Sequence, residues 1–263
     1  IASEEGWRST VAPSLPSPGE LKSKLSGWIA KDSERLQRVR YYEEVGPDLD
    51  RLSAEYILFA FAKLGGDLSL GSEFTSGDAC DALGIAEQHR QLFDRLLAIL
   101  REDGYLEARS EGIWRVVYEP NPVAPDETWA RMFFSHSAYE AELLLLARCG
   151  ERLEEILKGN LDPLEILFPP DSQVAEQLYR DSPTFVGCKR IAREVVCRFV
   201  EALPKGRTLR ILEVGGGTGS LASHILPLLP EHCTEYHFTD ISPSFAKKAE
   251  QRFHNYSFVT FGT

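Results

Sequence analysis

Leu209-Arg210-Ile211-Leu212-Glu213-Val214-Gly215-Gly216-Gly217-Thr218-Gly219-Ser220 is the stretch from which the fold can be read. From Leu209 to Val214 the residues are apolar except Arg210 and Glu213, the pattern of a buried parallel strand. Glycines follow at 215, 217 and 219, and Leu221-Ala222-Ser223-His224-Ile225-Leu226 then has helical character. A strand, a glycine turn and a helix in that order suit a nucleotide-like ligand. Glycine tolerates positive φ and keeps a Cβ out of the ligand's way. The next strand, Tyr236-His237-Phe238-Thr239, ends on Asp240, an acidic residue placed to accept from a ribose diol.

Loops that hold a pyrophosphate space their glycines G-x-G-x-x-G and set the phosphates on a helix N-terminus. Here the glycines alternate, Glu213-x-Gly215-x-Gly217-x-Gly219. That spacing resembles motif I of class I S-adenosylmethionine (SAM) methyltransferases, whose loop holds the methionyl end of a cofactor without phosphates. The resemblance implies Glu213, Gly215, Gly217, Gly219, Asp240 and Ile241 as the cofactor-binding residues. Glu213 would act indirectly, through loop hydrogen bonds or the charge of the sulfonium. A dinucleotide site and a glycine turn without a ligand are the other readings of these residues.

The chain has 263 residues, room for two modest domains, and at 43% hydrophobic and 26% charged it is of ordinary globular composition. A formal net charge of −11 gives no basic footprint for nucleic acid. No apolar run is long enough to span a membrane and no signal-peptide pattern opens the chain, so no membrane partner and a cytoplasmic location are expected. The five cysteines, Cys80, Cys149, Cys188, Cys197 and Cys233, form no CxxC pair and read as reduced thiols. Without secretion, the sequon Asn255-Tyr256-Ser257 reads as a chance match.

Residues 1–17 read as a linker. Ser17-Pro18-Gly19-Glu20 predicts a helix start, and the polar helix it opens runs to about Glu44, stopped by Gly46-Pro47. Arg51 to Leu64 predicts a buried helix closed by Gly65-Gly66. Thr75 to Leu83 and Glu87 to Glu102 predict two more helices, and Tyr105 to Ala108 with Ile113 to Val117 a hairpin, a winged-helix-like order. The charges of both signs on Glu87 to Glu102 favour a packing or lid module over DNA binding. Trp129 to Leu146 predicts one helix, with a structural His136 inside it, and Gly150 breaks the run. Lys189 to Leu203 carries one apolar face at helical spacing and should pack on the sheet. Phe245 to Phe253 predicts a helix, and Phe258 to Phe261 a third strand.

From about Ala147 onward the chain resembles the carbon-methyltransferase domains of modular polyketide synthases. The resemblance rests on Leu157-Lys158-Gly159-Asn160-Leu161-Asp162-Pro163-Leu164, Leu167-Phe168-Pro169, Ala175 to Pro183, the glycine loop, His224-Ile225-Leu226-Pro227 and Phe238-Thr239-Asp240-Ile241-Ser242. The first half resembles the family's helical lid loosely. The implied fold is α/β: residues 18–183 form a mainly helical, winged-helix-like lid, and residues 184–263 begin a Rossmann-like methyltransferase core. The implied activity is SAM-dependent methylation at the α-carbon of a malonyl or β-ketoacyl thioester on an acyl carrier protein, among neighbouring synthase domains. A carbon between two carbonyls is acidic, so a positioned base can form the enolate that takes the methyl group.

Two departures from the family stand out. A Tyr-Asn pair is expected shortly after Asp181-Ser182-Pro183, where this chain reads Cys188-Lys189. The family's sheet is larger, and its catalytic histidine and glutamate would lie beyond Thr263. No general base is therefore named; the chain is expected to be a fragment that binds SAM weakly alone, with the first strand on an open sheet edge and a hydrophobic face uncovered. His232-Cys233 and His237 lack zinc spacing, so no metal is expected, and Lys247, Lys248 and Arg252 read as a solvated helix face. The competing functions are a small-molecule O-methyltransferase and a non-catalytic scaffolding remnant of a megasynthase.

Overall fold

In a computed structural model, residues 15–109, 112–119, 125–169 and 172–263 are described. The linker reading of residues 1–14, the tip of the hairpin at 110–111 and the stretch 120–124 lie outside them. The chain folds as two compact units, Arg40–Leu178 and a second one that joins the residues up to Val39 with Tyr179–Thr263.

Helix α1 (Pro18–Arg35) opens as its sequence dictates. Ser17 Oγ accepts the Glu20 N–H at 3.3 Å and the Glu20 carboxylate accepts the Ser17 N–H at 2.7 Å, a reciprocal cap. The helix does not run to Glu44. It ends at Arg35, and Gln37 takes φ 50°, which a helix cannot accommodate. A turn of π-helix follows over Tyr41–Val45, and Gly46-Pro47 opens α2 (Gly46–Lys63) instead of stopping a helix. The π-turn runs straight into α2, with the Gly46 N–H bonded to the Tyr41 carbonyl, so the helical run continues through Gly46-Pro47.

Within Arg40–Leu178, α2 buries Leu52, Ala54, Ile57 and Phe61. Thr75 caps α3 (Ser76–Leu83), which Gly84 ends at φ 68°, and α4 (Arg90–Glu102) buries Phe93, Leu97 and Leu100 on one face. Each such apolar side chain contributes roughly 1.5–3 kcal/mol when taken from water. The hairpin is present as β2 (Leu106–Ala108) and β3 (Ile113–Val116), and a further strand, β1 (Glu73–Thr75), pairs antiparallel on the other side of β3. At three residues β1 is too short to show alternation in the sequence. The cations Arg90 and Arg95 on α4 face Asp81, Glu87 and Glu102.

The single helix expected over Trp129–Leu146 is two, α5 (Pro125–Ser135) and α6 (Glu140–Glu151). His136 is not inside a helix: at φ −128° and ψ 45° it breaks the run, and its buried ring nitrogen lies 3.2 Å from Asp48 Oδ2. Gly150 does not end the run either. It lies within α6, and glycine is needed there because a Cβ would come within 2.2 Å of the Tyr56 ring. Short helices α7 (Leu153–Leu157), α8 (Pro163–Leu167, capped by Asp162) and α9 (Val174–Asp181) follow.

The C-terminal residues are α/β. Ser182 caps α10 (Pro183–Glu201), with Pro183 in its first turn. Then come β4 (Leu209–Val214), the four-residue α11 (Ala222–Ile225), β5 (Thr234–Thr239), α12 (Pro243–Phe253) and β6 (Val259–Gly262). The strands are parallel in the order β4-β5-β6, with Glu213 opposite Phe238 and Phe238 opposite Phe261. Tyr236, Phe238 and Val259 pack with Ala222, Leu226, Ala249 and Phe253, and Val196 and Val200 of α10 join them as expected. β4 itself is not buried on both sides. It is an edge strand with one face packed, and Leu212 and Val214 are 65% and 78% exposed on the other.

Candidate cofactor-binding site

The glycine loop begins where β4 ends. Gly215, Gly217 and Gly219 take φ of 71°, 53° and 71°, the left-handed region that side chains with a Cβ resist. The glycines then divide by what they face. A Cβ on Gly216 would lie 2.3 Å from the Phe238 ring, and one on Gly219 2.7 Å from the Phe253 ring, so both are pressed against the core. A Cβ on Gly215 would meet nothing within 4 Å, and one on Gly217 only a backbone oxygen at 3.9 Å. The loop thus presses on the sheet through Gly216 and on α12 through Gly219, and presents bare backbone at the other two.

Asp240, at the carboxyl end of β5, is buried and faces the loop. Its Oδ2 accepts the Gly217 N–H and its Oδ1 the Ser242 N–H, each at 2.8 Å. A carboxylate offers about four lone-pair positions, so acceptor capacity for a diol is left over. Ile241, next in the chain, is 96% exposed. Glu213 points elsewhere. Its carboxylate accepts the Tyr236 hydroxyl at 2.8 Å on the packed face of the sheet, where burial pushes its pKa up and that hydrogen bond pulls it back. Its backbone carbonyl accepts Thr239 Oγ1, at the end of β5, at 2.8 Å.

Two side chains that sequence reading did not assign to the site, those of Arg252 and Lys189, hold the loop from outside. Arg252 Nη1 donates to the Thr218 carbonyl at 3.0 Å, so this residue is not simply part of a solvated face. Lys189 Nζ donates to Ser220 Oγ at 2.8 Å, and Ser220 Oγ in turn donates to the Tyr179 carbonyl at 2.9 Å. The signals available were a cation on the helix after the second strand and a lysine in an otherwise apolar helical pattern. His232, Cys233 and His237 assemble nothing: among the described residues no group of three or more His, Cys, Asp or Glu could hold a metal. No helix among them is long and apolar enough to cross a membrane.

Residues 212–262, the end of β4 through β6 with the loop and Asp240 between, match the family model Methyltransf_12, described as a methyltransferase domain. The chain carries a methyltransferase domain. Over 237 residues, 88% of its length, this methyltransferase chain is 30% identical to the non-reducing polyketide synthase prhL of Penicillium brasilianum, of which it spans 9%. Its fold superposes on the CurJ carbon methyltransferase with a TM-score of 0.86 at 33% identity, covering 93% of this chain and 65% of that one. The C-methyltransferase domain of the citrinin polyketide synthase shares the fold, with a TM-score of 0.81 at 23% identity over 95% of this chain and 66% of that one.

Proposed function

We propose that this methyltransferase chain works inside a polyketide synthase, transferring the methyl group of SAM to the α-carbon of a malonyl or β-ketoacyl thioester carried by an acyl carrier protein. The observation that carries the reading is the Asp240 carboxylate fixed under a glycine loop whose Gly215 and Gly217 leave their backbone uncovered. The likeness to the CurJ carbon methyltransferase supports carbon as the acceptor atom. Relatives that are polyketide synthases support a carrier-bound substrate and neighbouring synthase domains.

The residues present fit the cofactor. Gly215 and Gly217 admit a ligand against the backbone, Asp240 has acceptor capacity for the ribose hydroxyls, and exposed Val214 and Ile241 offer apolar surface to a base. SAM supplies an electrophilic methyl group on a sulfonium. The chain's own contribution is to orient: hydrogen bonds made by Asp240, Arg252 and Lys189 fix the loop, which lowers the ordering cost of binding. The Arg40–Leu178 unit, with its winged-helix-like sheet and helices, is the part we assign to the substrate side. Five free thiols support a reducing, cytoplasmic setting.

The test is methyl transfer from isotopically labelled SAM to a carrier protein loaded with a malonyl or β-ketoacyl group. Label on the acyl α-carbon is expected. Label found instead on an added phenol or free acid would reject the reading.

A further inference from the structure

Lys189 is buried, 7% exposed, on α10 between an exposed Cys188 and a half-buried Arg190. A buried ammonium costs several kcal/mol unless its donors are matched, and it has three to match. All three are matched. Nζ donates to the Tyr179 carbonyl at 2.5 Å, to the Arg180 carbonyl at 2.8 Å and to Ser220 Oγ at 2.8 Å. Two of the acceptors are carbonyls in the last turn of α9, where helix geometry leaves oxygens without partners and favours a cation. The third is the residue directly after Gly219. Ser220 Oγ, having accepted from Lys189, donates to the same Tyr179 carbonyl, closing a small network. The Ser220 carbonyl in turn lies 2.9 Å from His224 Nδ1.

We propose that Lys189 is a positioning residue for the glycine loop: its ammonium, seated behind Ser220, ties the loop to the carboxyl end of α9 and thereby sets the backbone that receives the cofactor. The inference rests on the cofactor reading of that loop, but its mechanical part does not. A lysine that only capped α9 would need no contact with Ser220. A lysine that only filled space would leave three donors unmatched. Asp240 holds the loop at Gly217, Arg252 at Thr218 and Lys189 at Ser220, three successive grips from three different elements.

The experiment is amide hydrogen exchange on the chain and on two variants, Lys189→Met and Ser220→Ala, read at Gly217, bonded to Asp240, at Ser223, bonded to the Gly219 carbonyl, and at Tyr236 in β5 as a reference. Exchange at Gly217 and Ser223 should rise by about tenfold in both variants, the effect of losing one charge-assisted hydrogen bond. Tyr236 should change only as much as overall stability does. Ser220→Ala keeps the bonds from Lys189 to α9, so it separates a loop anchor from a helix cap. Unchanged loop exchange in Ser220→Ala, or loop and reference amides shifting together in Lys189→Met, would overturn the proposal. A parallel titration with S-adenosylhomocysteine keeps the two readings apart: loosened loops in a chain that never binds the nucleoside would leave the anchor standing and remove the cofactor.

Discussion

Asp240 and Gly217 meet across the mouth of the sheet: the carboxylate Oδ2 accepts the Gly217 N–H at 2.8 Å, while Oδ1 accepts that of Ser242. One side chain thus joins the loop after β4 to the turn after β5. Replacing it with asparagine turns one acceptor into an NH2 group that faces an N–H. Asp240→Asn is expected to lower stability by about 1–3 kcal/mol, the cost of leaving a buried donor unmatched. Urea denaturation would show this as a lower midpoint with an unchanged slope, and an unmoved midpoint would contradict it.

The glycines predict two different kinds of damage. Gly216→Ala drives a Cβ into the fully buried Phe238 and should destabilise the fold by about 1–3 kcal/mol, visible in a thermal melt. Gly217→Ala has open space but a φ of 53°, so it should cost only about 1–2 kcal/mol of backbone strain while strongly weakening nucleoside binding. The reverse order of stability would count against this division of the loop.

Glu213 predicts a pH dependence. Burial raises its pKa, and burial together with Glu213 raises that of its partner Tyr236. The folded chain therefore holds the Glu213 proton more tightly than the unfolded chain does. Between the ordinary carboxyl range and the raised folded value, folding takes up a proton, and stability falls as pH rises. Glu213→Gln keeps an acceptor for Tyr236 and removes the buried charge. The variant should melt higher than the parent near about pH 8, and the two should converge toward about pH 3, where the carboxyl is protonated in both states. A gap independent of pH would refute this.

Asp32 on α1 is 7% exposed and is gripped by Arg190 of α10, Nη2 to Oδ1 at 2.6 Å and Nε to Oδ2 at 3.0 Å. The guanidinium also lies 5.9 Å from the centre of the Trp28 ring. Asp32→Ala leaves a partly buried cation without its two-point partner and should cost about 2 kcal/mol, less than for a fully buried pair because Arg190 remains in touch with solvent. Denaturation midpoints measure it, and a loss within about 0.5 kcal/mol would show the pair to be ornamental.

What the sequence disclosed was local. The cap at Ser17 and Glu20, the helix ending at Leu83, and the strand–glycine–helix order around Gly215 are written in neighbouring residues and were readable. Breaks that depend on packing were not. Gln37 and His136 carry no breaker signature, and Gly150 looks like a stop until Tyr56 is seen against it. The outer grips of the site were hidden for the same reason: Lys189 and Ser220 lie 31 residues apart and Arg252 and Thr218 lie 34 apart, and only the folded chain brings them together. The carboxylate of Glu213 sits at the expected position, but the pleat turns it toward Tyr236, because alternate residues of a strand face opposite sides.

The central claim, that the loop after Val214 and the carboxylate of Asp240 hold a sulfonium nucleoside, is tested most directly by calorimetric titration of S-adenosylhomocysteine and SAM into the chain and into Asp240→Ala. The parent should give saturable heat at one site, and the variant should bind at least about tenfold more weakly, the effect of removing a charged acceptor from two hydroxyls. Equal affinity in parent and variant, or no saturable heat from the folded parent, would contradict the account.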